Sequence, residues 1–196
     1  MDLLIIRHGQ SNANANGLLI SNDQDELSAL GRSQSECLRD TLAQYDYAPS
    51  RVISSPWRRA RQTAETVFNA AEIAFDARLA ETHPGVFGTW LERDFNSAYP
   101  DFHRDIRNTY EGGESHWDMT VRVRAWTDET VMLRIAEAGL LAVVAHGGPI
   151  SVILQHLLGV PIESHYPTFT VPNASFTYLK WRADLNRFCV ERLGHV

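Results

Sequence analysis

Short apolar runs alternate along the chain with segments of helical periodicity. Runs rich in β-branched residues occupy residues 3–6, 52–54 and 140–145, and a segment with apolar positions at helical spacing follows each of them. This alternation predicts an α/β domain: a mostly parallel central sheet flanked by helices in a three-layer sandwich. Two later segments, residues 175–181 and 188–192, predict a hairpin that completes the sheet.

Four helices are predicted, over residues 28–44, from about residue 55, over residues 115–137 and over residues 149–158. Pro56 suits the first turn of the second helix. That helix presents one face of small residues, namely Ala60, Thr63, Ala64, Val67 and Ala71. The third helix carries charged positions that predict a face in solvent, namely Asp118, Arg122, Asp128 and Arg134.

The segment of residues 83–115 differs from the rest because its apolar residues are aromatic and are mixed with charge and glycine. They are Phe87, Trp90, Phe95, Tyr99, Phe102 and Tyr110. A long, partly regular segment in a small domain is more often functional than accidental, so we predict a lid insertion here. The alternative is a short surface helix held by its own aromatic side chains.

Composition limits the classes of protein and partner. With 196 residues, of which 44% are hydrophobic and 21% charged, the chain is expected to form one domain over residues 1–196. The formal net charge of -6 argues against a broad basic face, so we expect neither a nucleic acid nor an anionic membrane as partner. The only cysteines, Cys37 and Cys189, lie in no metal-binding spacing and indicate no disulfide framework.

Targeting and membrane segments are not expected. The apolar stretch near the start has four residues and is followed by Arg7 and His8, which is too short for a signal peptide. The uncharged run at residues 138–162 is interrupted by His, Gly and Pro, so we interpret it as a buried strand, a turn and a buried helix. We therefore expect a soluble, cytoplasmic protein.

Candidate chemistry lies at the ends of the three predicted parallel strands, where ligands bind in open sheets. The strands end in Arg7-His8-Gly9, in Ser54-Ser55-Pro56 before three arginines, and in His146-Gly147-Gly148. Helix N-termini beside guanidinium groups suit an anion, and phosphate fits that combination. The sequence therefore predicts a small phosphate site inside an acidic protein.

Six segments in the same order resemble the motifs of the histidine phosphatase superfamily, also called the phosphoglycerate mutase-like family. They are LIIRHGQSNANANG (4–17), LSALGRSQS (27–35), VISSPWRRARQTAET (52–66), LAETHPGVFG (79–88), GGES (112–115) and VVAHGGPI (143–150). The resemblance implies the fold of that family and an active site without metal or other cofactor.

The resemblance also implies roles for particular residues. His8 is the expected nucleophile, which forms a phosphohistidine, and Glu81 is the expected acid and base. Arg7, Arg59 and His146 are expected to bind the equatorial phosphoryl oxygens as part of the catalytic set. Further phosphate contacts are expected from Ser11, Asn14 and Gly147.

Two departures from the family pattern favour a phosphomonoesterase that acts on a small phosphoester. The family's mutases resemble E-R-H-Y-G at the acid, whereas residues 81–85 here read ETHPG, and the chain is shorter than the typical mutase. A shorter lid excludes water less well, which favours hydrolysis over transfer. A cofactor-dependent phosphoglycerate mutase, or a non-catalytic phosphoester-binding module on the same fold, are the alternatives.

Other phosphatase chemistries fit the sequence less well. The segment DQDEL at residues 23–27 comes near the DxDx[T/V] pattern of magnesium-dependent aspartyl phosphatases, but a turn composition precedes it where a buried strand is needed. The sequence contains no HExxH zinc motif, no G-x-S-x-G elbow and no P-loop. No metal site is therefore expected.

Overall fold

The computed structural model describes residues 1–69, 71–162 and 167–196. Its strands are β1 (Asp2–Arg7), β2 (Arg51–Ser54), β3 (Ile73–Phe75), β4 (Leu140–Ala145), β5 (Phe176–Arg182) and β6 (Arg187–His195). Its helices are α1 (Asn12–Asn16), α2 (Ala29–Gln44), α3 (Arg58–Val67), α4 (Glu92–Ala98), α5 (His116–Thr130) and α6 (Gly147–Leu158).

One sheet contains all six strands, in the order β3-β2-β4-β1-β5-β6. Strands β3, β2, β4 and β1 are parallel to one another. On the other side of β1, β5 pairs antiparallel with β1, and β6 pairs antiparallel with β5. The register pairs Arg7 with Ala145 and Ser54 with Val144. The carboxyl ends of β1, β4 and β2 therefore meet at one edge of the sheet.

The two faces of the sheet have separate cores, because successive side chains on a strand point to opposite faces. Leu3 and Ile5 of β1 belong to the cluster that includes residues of α5 and α6. Leu4 and Ile6 belong to the cluster that includes residues of α2 and α3. All four side chains are at most 1% exposed, so β1 is buried on both sides and holds the following residues rigidly. The predicted fold class, an α/β sandwich with a mostly parallel sheet, is confirmed.

Several predicted boundaries were wrong. Helix α3 begins at Arg58, after Pro56, and it ends at Val67, so Ala71 lies beyond the helix and is exposed. Helix α5 ends at Thr130, followed by a separate 3₁₀ turn at Met132–Arg134. Short elements such as β3 and α4 escaped prediction because three to seven residues carry too little periodicity.

The segment 83–115 contains α4 and two 3₁₀ turns, at Gly85–Phe87 and Phe102–Arg104. Phe87, Phe95 and Tyr110 pack against one another and are nearly inaccessible to solvent. The segment thus has a small aromatic core of its own, and its role as a lid stays a prediction. Within the described ranges, no helix is both long enough and apolar enough to cross a membrane.

Candidate active site

Three strand ends bring His8, Ser55 and His146 side by side. The backbone N–H of His8 donates to Ala145 O (3.1 Å), and that of Ser55 donates to Val144 O (2.9 Å). The backbone hydrogen bonding of β1 and β2 with β4 therefore continues one residue beyond the ends of β1 and β2. The imidazole rings of His8 and His146 lie 4.9 Å apart, centre to centre, in an edge-to-face arrangement. Both histidines are buried.

The environment of His8 keeps its ring neutral and fixes its tautomer. Nδ1 lies 2.7 Å from Gly9 O, an acceptor, so Nδ1 carries the proton and Nε2 keeps its lone pair. Burial lowers the pKa of His8 well below 6.5, and the charges of Arg59 and Arg7 lower it further. His8 therefore presents an unprotonated Nε2 at neutral pH, as a nucleophile requires.

The loop after His8 is held by close packing on α2 and α3. Gly9 N–H donates to Thr63 Oγ1 (3.1 Å) on α3. A Cβ atom at Gly31 of α2 would lie 1.9 Å from Gln10 O, so only glycine allows the two backbones to approach this closely. These contacts fix the peptide groups that orient the His8 ring.

Arg59 is the buried member of the three arginines at the start of α3. Its Nε donates to His8 Nε2 (3.2 Å), and its Nη1 donates to Asn22 O (3.1 Å) and contacts Asp25 Oδ2 (3.4 Å). Burial lowers the pKa of Arg59 to about 10, against the opposing effects of Glu81 and Asp25, so the group stays cationic at neutral pH. The planar guanidinium group of Arg59 is thus held beside His8, in a geometry that suits phosphoryl oxygens.

Ser55 orients His146 on the opposite side of the site. The Ser55 hydroxyl lies 2.8 Å from His146 Nε2 and accepts a hydrogen bond from the Trp57 N–H (3.3 Å). A hydroxyl that accepts from Trp57 keeps its proton for donation to Nε2, and in that arrangement the ring proton of His146 is on Nδ1. Nδ1 is buried and has no hydrogen-bond partner among the described residues. It is therefore a donor available for a phosphoryl oxygen.

Arg7 and Gly147 lie together at the same edge. Arg7 Nη1 donates to Val171 O (2.6 Å), which anchors the guanidinium beside the first turn of α6. A Cβ at Gly147 would lie 3.7 Å from the Arg7 Cζ, so the two residues are in contact range. Burial lowers the pKa of both His8 and His146, and the charge of Arg7 lowers both pKa values further.

Glu81 follows the 3₁₀ turn Ala77–Leu79 and reaches the N-terminus of α6. Its Oε2 accepts the Gly148 N–H (3.1 Å), and its Oε1 accepts the N–H of Thr82 (3.0 Å). The carboxyl group is thereby held near the turn that carries His146, and it is only half-buried. The structure thus brings Glu81 to the strand edge where His8 and His146 lie.

Arg122 of α5 anchors the segment that carries Glu81. It donates to the carbonyl oxygens of Arg78 (2.8 Å), Ala80 (2.7 Å) and Glu81 (2.9 Å), and it also binds the Glu114 carboxylate. The prediction that Arg122 faces solvent was wrong, because these carbonyl groups come from a loop that the helical pattern could not place. Arg122 therefore has a structural connection to the candidate acid.

Ser11 and Asn14 form the capping box of α1. Ser11 Oγ accepts the Asn14 N–H (3.2 Å), and Asn14 Oδ1 accepts the Ser11 N–H (3.1 Å). Asn173 links this cap to the site, since its Nδ2 donates to His8 O (3.1 Å) and Asn14 Oδ1 (3.3 Å). Their role in phosphate contact stays a prediction.

The residues of the magnesium alternative serve another purpose. Asp25 lies in the irregular segment before α2, where no strand leads directly into it, and it pairs with the buried Arg59. In the ranges 1–69, 71–162 and 167–196, no group of three or more His, Cys, Asp or Glu side chains could hold a metal ion. Asp25 is therefore the counter-ion of Arg59. The sequence pattern did not predict this role.

Comparison with known proteins extends the likeness to nearly the whole chain. The family model described as histidine phosphatase superfamily (branch 1) matches residues 3–191. Glucosyl-3-phosphoglycerate phosphatase of Mycolicibacterium vanbaalenii is 31% identical to it, over 90% of this chain and 83% of the relative. A broad-specificity phosphatase of Saccharomyces cerevisiae is 29% identical, over 98% of this chain and 85% of the relative.

A solved structure shows the same likeness. The structure of mycobacterial glucosyl-3-phosphoglycerate phosphatase in complex with VO3 superposes with a TM-score of 0.83 at 28% identity, covering 100% of this chain and 99% of that one.

Proposed function

The chain belongs to the histidine phosphatase superfamily, and from this premise we propose a metal-independent phosphomonoesterase that acts on a small phosphorylated metabolite through a phosphohistidine at His8. The observation that carries the proposal is the state of His8. Its Nδ1–H is bound to Gly9 O, and its Nε2 lies 3.2 Å from the Arg59 Nε in a buried site. A neutral nucleophile beside a fixed cation suits attack on an anionic phosphoryl group.

In the first step, Nε2 of His8 attacks phosphorus in line, and the bond from phosphorus to the ester oxygen breaks. Arg7, Arg59 and the Nδ1–H of His146 bind the three equatorial oxygens and stabilise their charge. Glu81, in its acid form, donates its proton to the departing oxygen. The alcohol leaves, and His8 carries the phosphoryl group.

In the second step, water attacks the phosphoryl group, and the bond from phosphorus to Nε2 breaks. The Glu81 carboxylate accepts a proton from that water, which restores the acid form and releases phosphate. The half-buried position of Glu81 supports both steps, because water can reach a carboxyl group that is not enclosed. This access also favours hydrolysis over transfer to a second substrate.

The test is to trap the intermediate with a ³²P-labelled phosphoester. The wild type is expected to hold a label that is stable in base and labile in acid, and His8→Ala is expected to hold none. His156→Gln is the matched control and should keep the label. His156 lies in the last turn of α6, where it pairs with Asp128. Label retained in His8→Ala, or insensitivity of the bound label to acid, would refute the nucleophile.

We also infer that residues 1–196 act as one cytoplasmic domain, with residues 83–115 as its lid and with no nucleic acid partner. The net charge of -6 and the free Cys37 and Cys189 support this inference. Chelator resistance is expected as well, since each step above uses side chains of this chain alone.

A further inference from the structure

A cavity of about 370 Å³ opens beside Glu81. Glu81 lines it together with Glu92 of α4, His103, Tyr110 and His116, and Leu19 and Ile20 supply an apolar wall. The size is in the usual range for a small-molecule site. Because Glu81 is the proposed acid, the group that it protonates lies next to this cavity, which is the space available for the rest of that group.

Glu92 gives the cavity a negative charge whether Glu81 is in its acid or its carboxylate form. Its described lining contains the carboxyl groups of Glu81 and Glu92 and neither Arg nor Lys. The two histidines add no cation at neutral pH, because burial lowers the pKa of His103 and lowers that of His116 to about 4. His116 is held in place by a 2.9 Å hydrogen bond between its Nδ1 and Thr82 Oγ1. A second anionic group on the substrate would therefore meet repulsion here.

Tyr110 lines the same cavity, and its hydroxyl group is a hydrogen-bond donor with no partner among the described residues. Its side chain is 1% exposed, and its hydroxyl is buried. Burial raises the pKa of Tyr110, and the carboxylates of Glu81 and Glu92 raise it further, so the hydroxyl keeps its proton. A buried hydroxyl without a partner is costly, so a ligand atom that accepts its hydrogen bond is favoured.

We propose that this cavity selects a neutral, polyhydroxylated leaving group, as in the monophosphate of a sugar or polyol, and disfavours one with a carboxylate or second phosphate. This inference rests on the proposed function. A hydroxyl group can accept from Tyr110 and donate to Glu92, whereas a carboxylate is repelled by Glu92. An ammonium group would be attracted by Glu92 but offers Tyr110 no acceptor. The apolar wall of Leu19 and Ile20 suits the C–H face of a sugar.

Two substrates of one carbon skeleton test the proposal. Glycerol 3-phosphate and 3-phosphoglycerate differ in one position, a hydroxymethyl group in the first and a carboxylate in the second. We expect kcat/KM for glycerol 3-phosphate to be about fivefold higher, the scale of a like-charge interaction across solvent, because the Glu92 side chain is exposed. Equal values, or faster hydrolysis of 3-phosphoglycerate, would overturn the proposal, as would a preference for phosphoethanolamine over both.

A variant of Glu92 tests whether this residue causes the preference for a neutral leaving group. Glu92→Gln removes one charge and is expected to narrow the ratio of the two kcat/KM values at least about threefold. Asp94→Asn is its matched control, because Asp94 lies in the same first turn of α4, does not line the cavity, and should leave the ratio unchanged. An unchanged ratio in Glu92→Gln, or an equal change in both variants, would overturn the assignment.

Tyr110→Phe tests the hydroxyl contact. It is expected to raise KM for glycerol 3-phosphate several-fold more than KM for propyl phosphate, which has the same chain length and no free hydroxyl. An equal change for both esters would overturn the role of Tyr110. Failure of the proposed function is a separate result: the wild type would then hydrolyse no phosphoester, p-nitrophenyl phosphate included, and would form no phosphohistidine.

Discussion

Arg122 is expected to act as a positioning residue for Glu81, because it binds the backbone of the loop that carries this carboxyl group. Arg122→Met keeps the aliphatic stem and removes the guanidinium, so the carbonyl groups of Arg78, Ala80 and Glu81 lose their donor. The peptide that carries Glu81 is then free to shift. A shift of about 1 Å in a catalytic group can cost about 100-fold in rate.

The structure also sets the expected loss of stability. A buried hydrogen bond from a charged donor contributes about 1.5 kcal/mol or more to the free energy of unfolding. Because the Arg122 side chain is 22% exposed, we take about 1 kcal/mol for each of its three contacts to carbonyl groups. The ion pair with Glu114 adds less than about 1 kcal/mol. A total near 3 kcal/mol lowers Tm by about 10 °C in a domain of this size.

The assay compares two esters below the Tm of the variant. Alkyl phosphates need a proton on the departing oxygen, so kcat for glycerol 3-phosphate is expected to fall about 30- to 100-fold. p-Nitrophenolate leaves without protonation, so kcat for p-nitrophenyl phosphate should fall only a few-fold. Arg124→Met, at an exposed position of the same helix, should change neither rate. Equal losses for both esters in Arg122→Met would refute the positioning role.

Glu81→Gln should reproduce the same dependence on the leaving group, with a loss of about 100-fold or more for an alkyl ester and nearly unchanged inhibition by phosphate, whereas the exposed Glu65→Gln should behave as wild type. Wild-type turnover of glycerol 3-phosphate in Glu81→Gln would move the acid role to another group. A second expectation concerns pH: His8, His146 and His116 are buried with lowered pKa values, so the unfolded chain binds more protons than the folded one below pH 6.5. The free energy of unfolding should therefore decrease as the pH falls from 7 to 5, by up to about 1.4 kcal/mol per pH unit for each histidine. Urea unfolding measures this slope, and a flat profile over that range would contradict the buried, neutral state of the three rings.

The sequence predicted the part of the site that depends on parallel strands. An apolar run followed by Arg7-His8 and another followed by His146 place these residues at one edge, because the carboxyl ends of neighbouring parallel strands coincide. Arg59 followed from its motif, and the structure shows why it differs from Arg58 and Arg61: it alone of the three is buried. These inferences needed no knowledge of the loops.

The remaining contacts depend on loops whose paths a periodic pattern does not encode. Arg122 looks like a solvent-facing residue in α5, and only the loop at residues 78–81 gives it buried partners. The sequence places Ser55 at the end of a predicted strand. It does not predict the hydrogen bond to His146, because the two residues are 91 positions apart. Tyr110 and Glu92 come together because the segment 83–115 folds around its own aromatic core.

The same long separations have a consequence for how the protein folds. His8 meets Arg59 across 51 positions, and Glu81 meets Gly148 across 67, so no contiguous fragment much shorter than the chain contains the phosphate site. The site exists only after β1, β2 and β4 have paired, which is a late and slow event for contacts of high contact order. Phosphate at the proposed site is expected to bind the folded chain alone and therefore to stabilise it by mass action. A chain that lacks one of these strands is expected to bind no phosphoester.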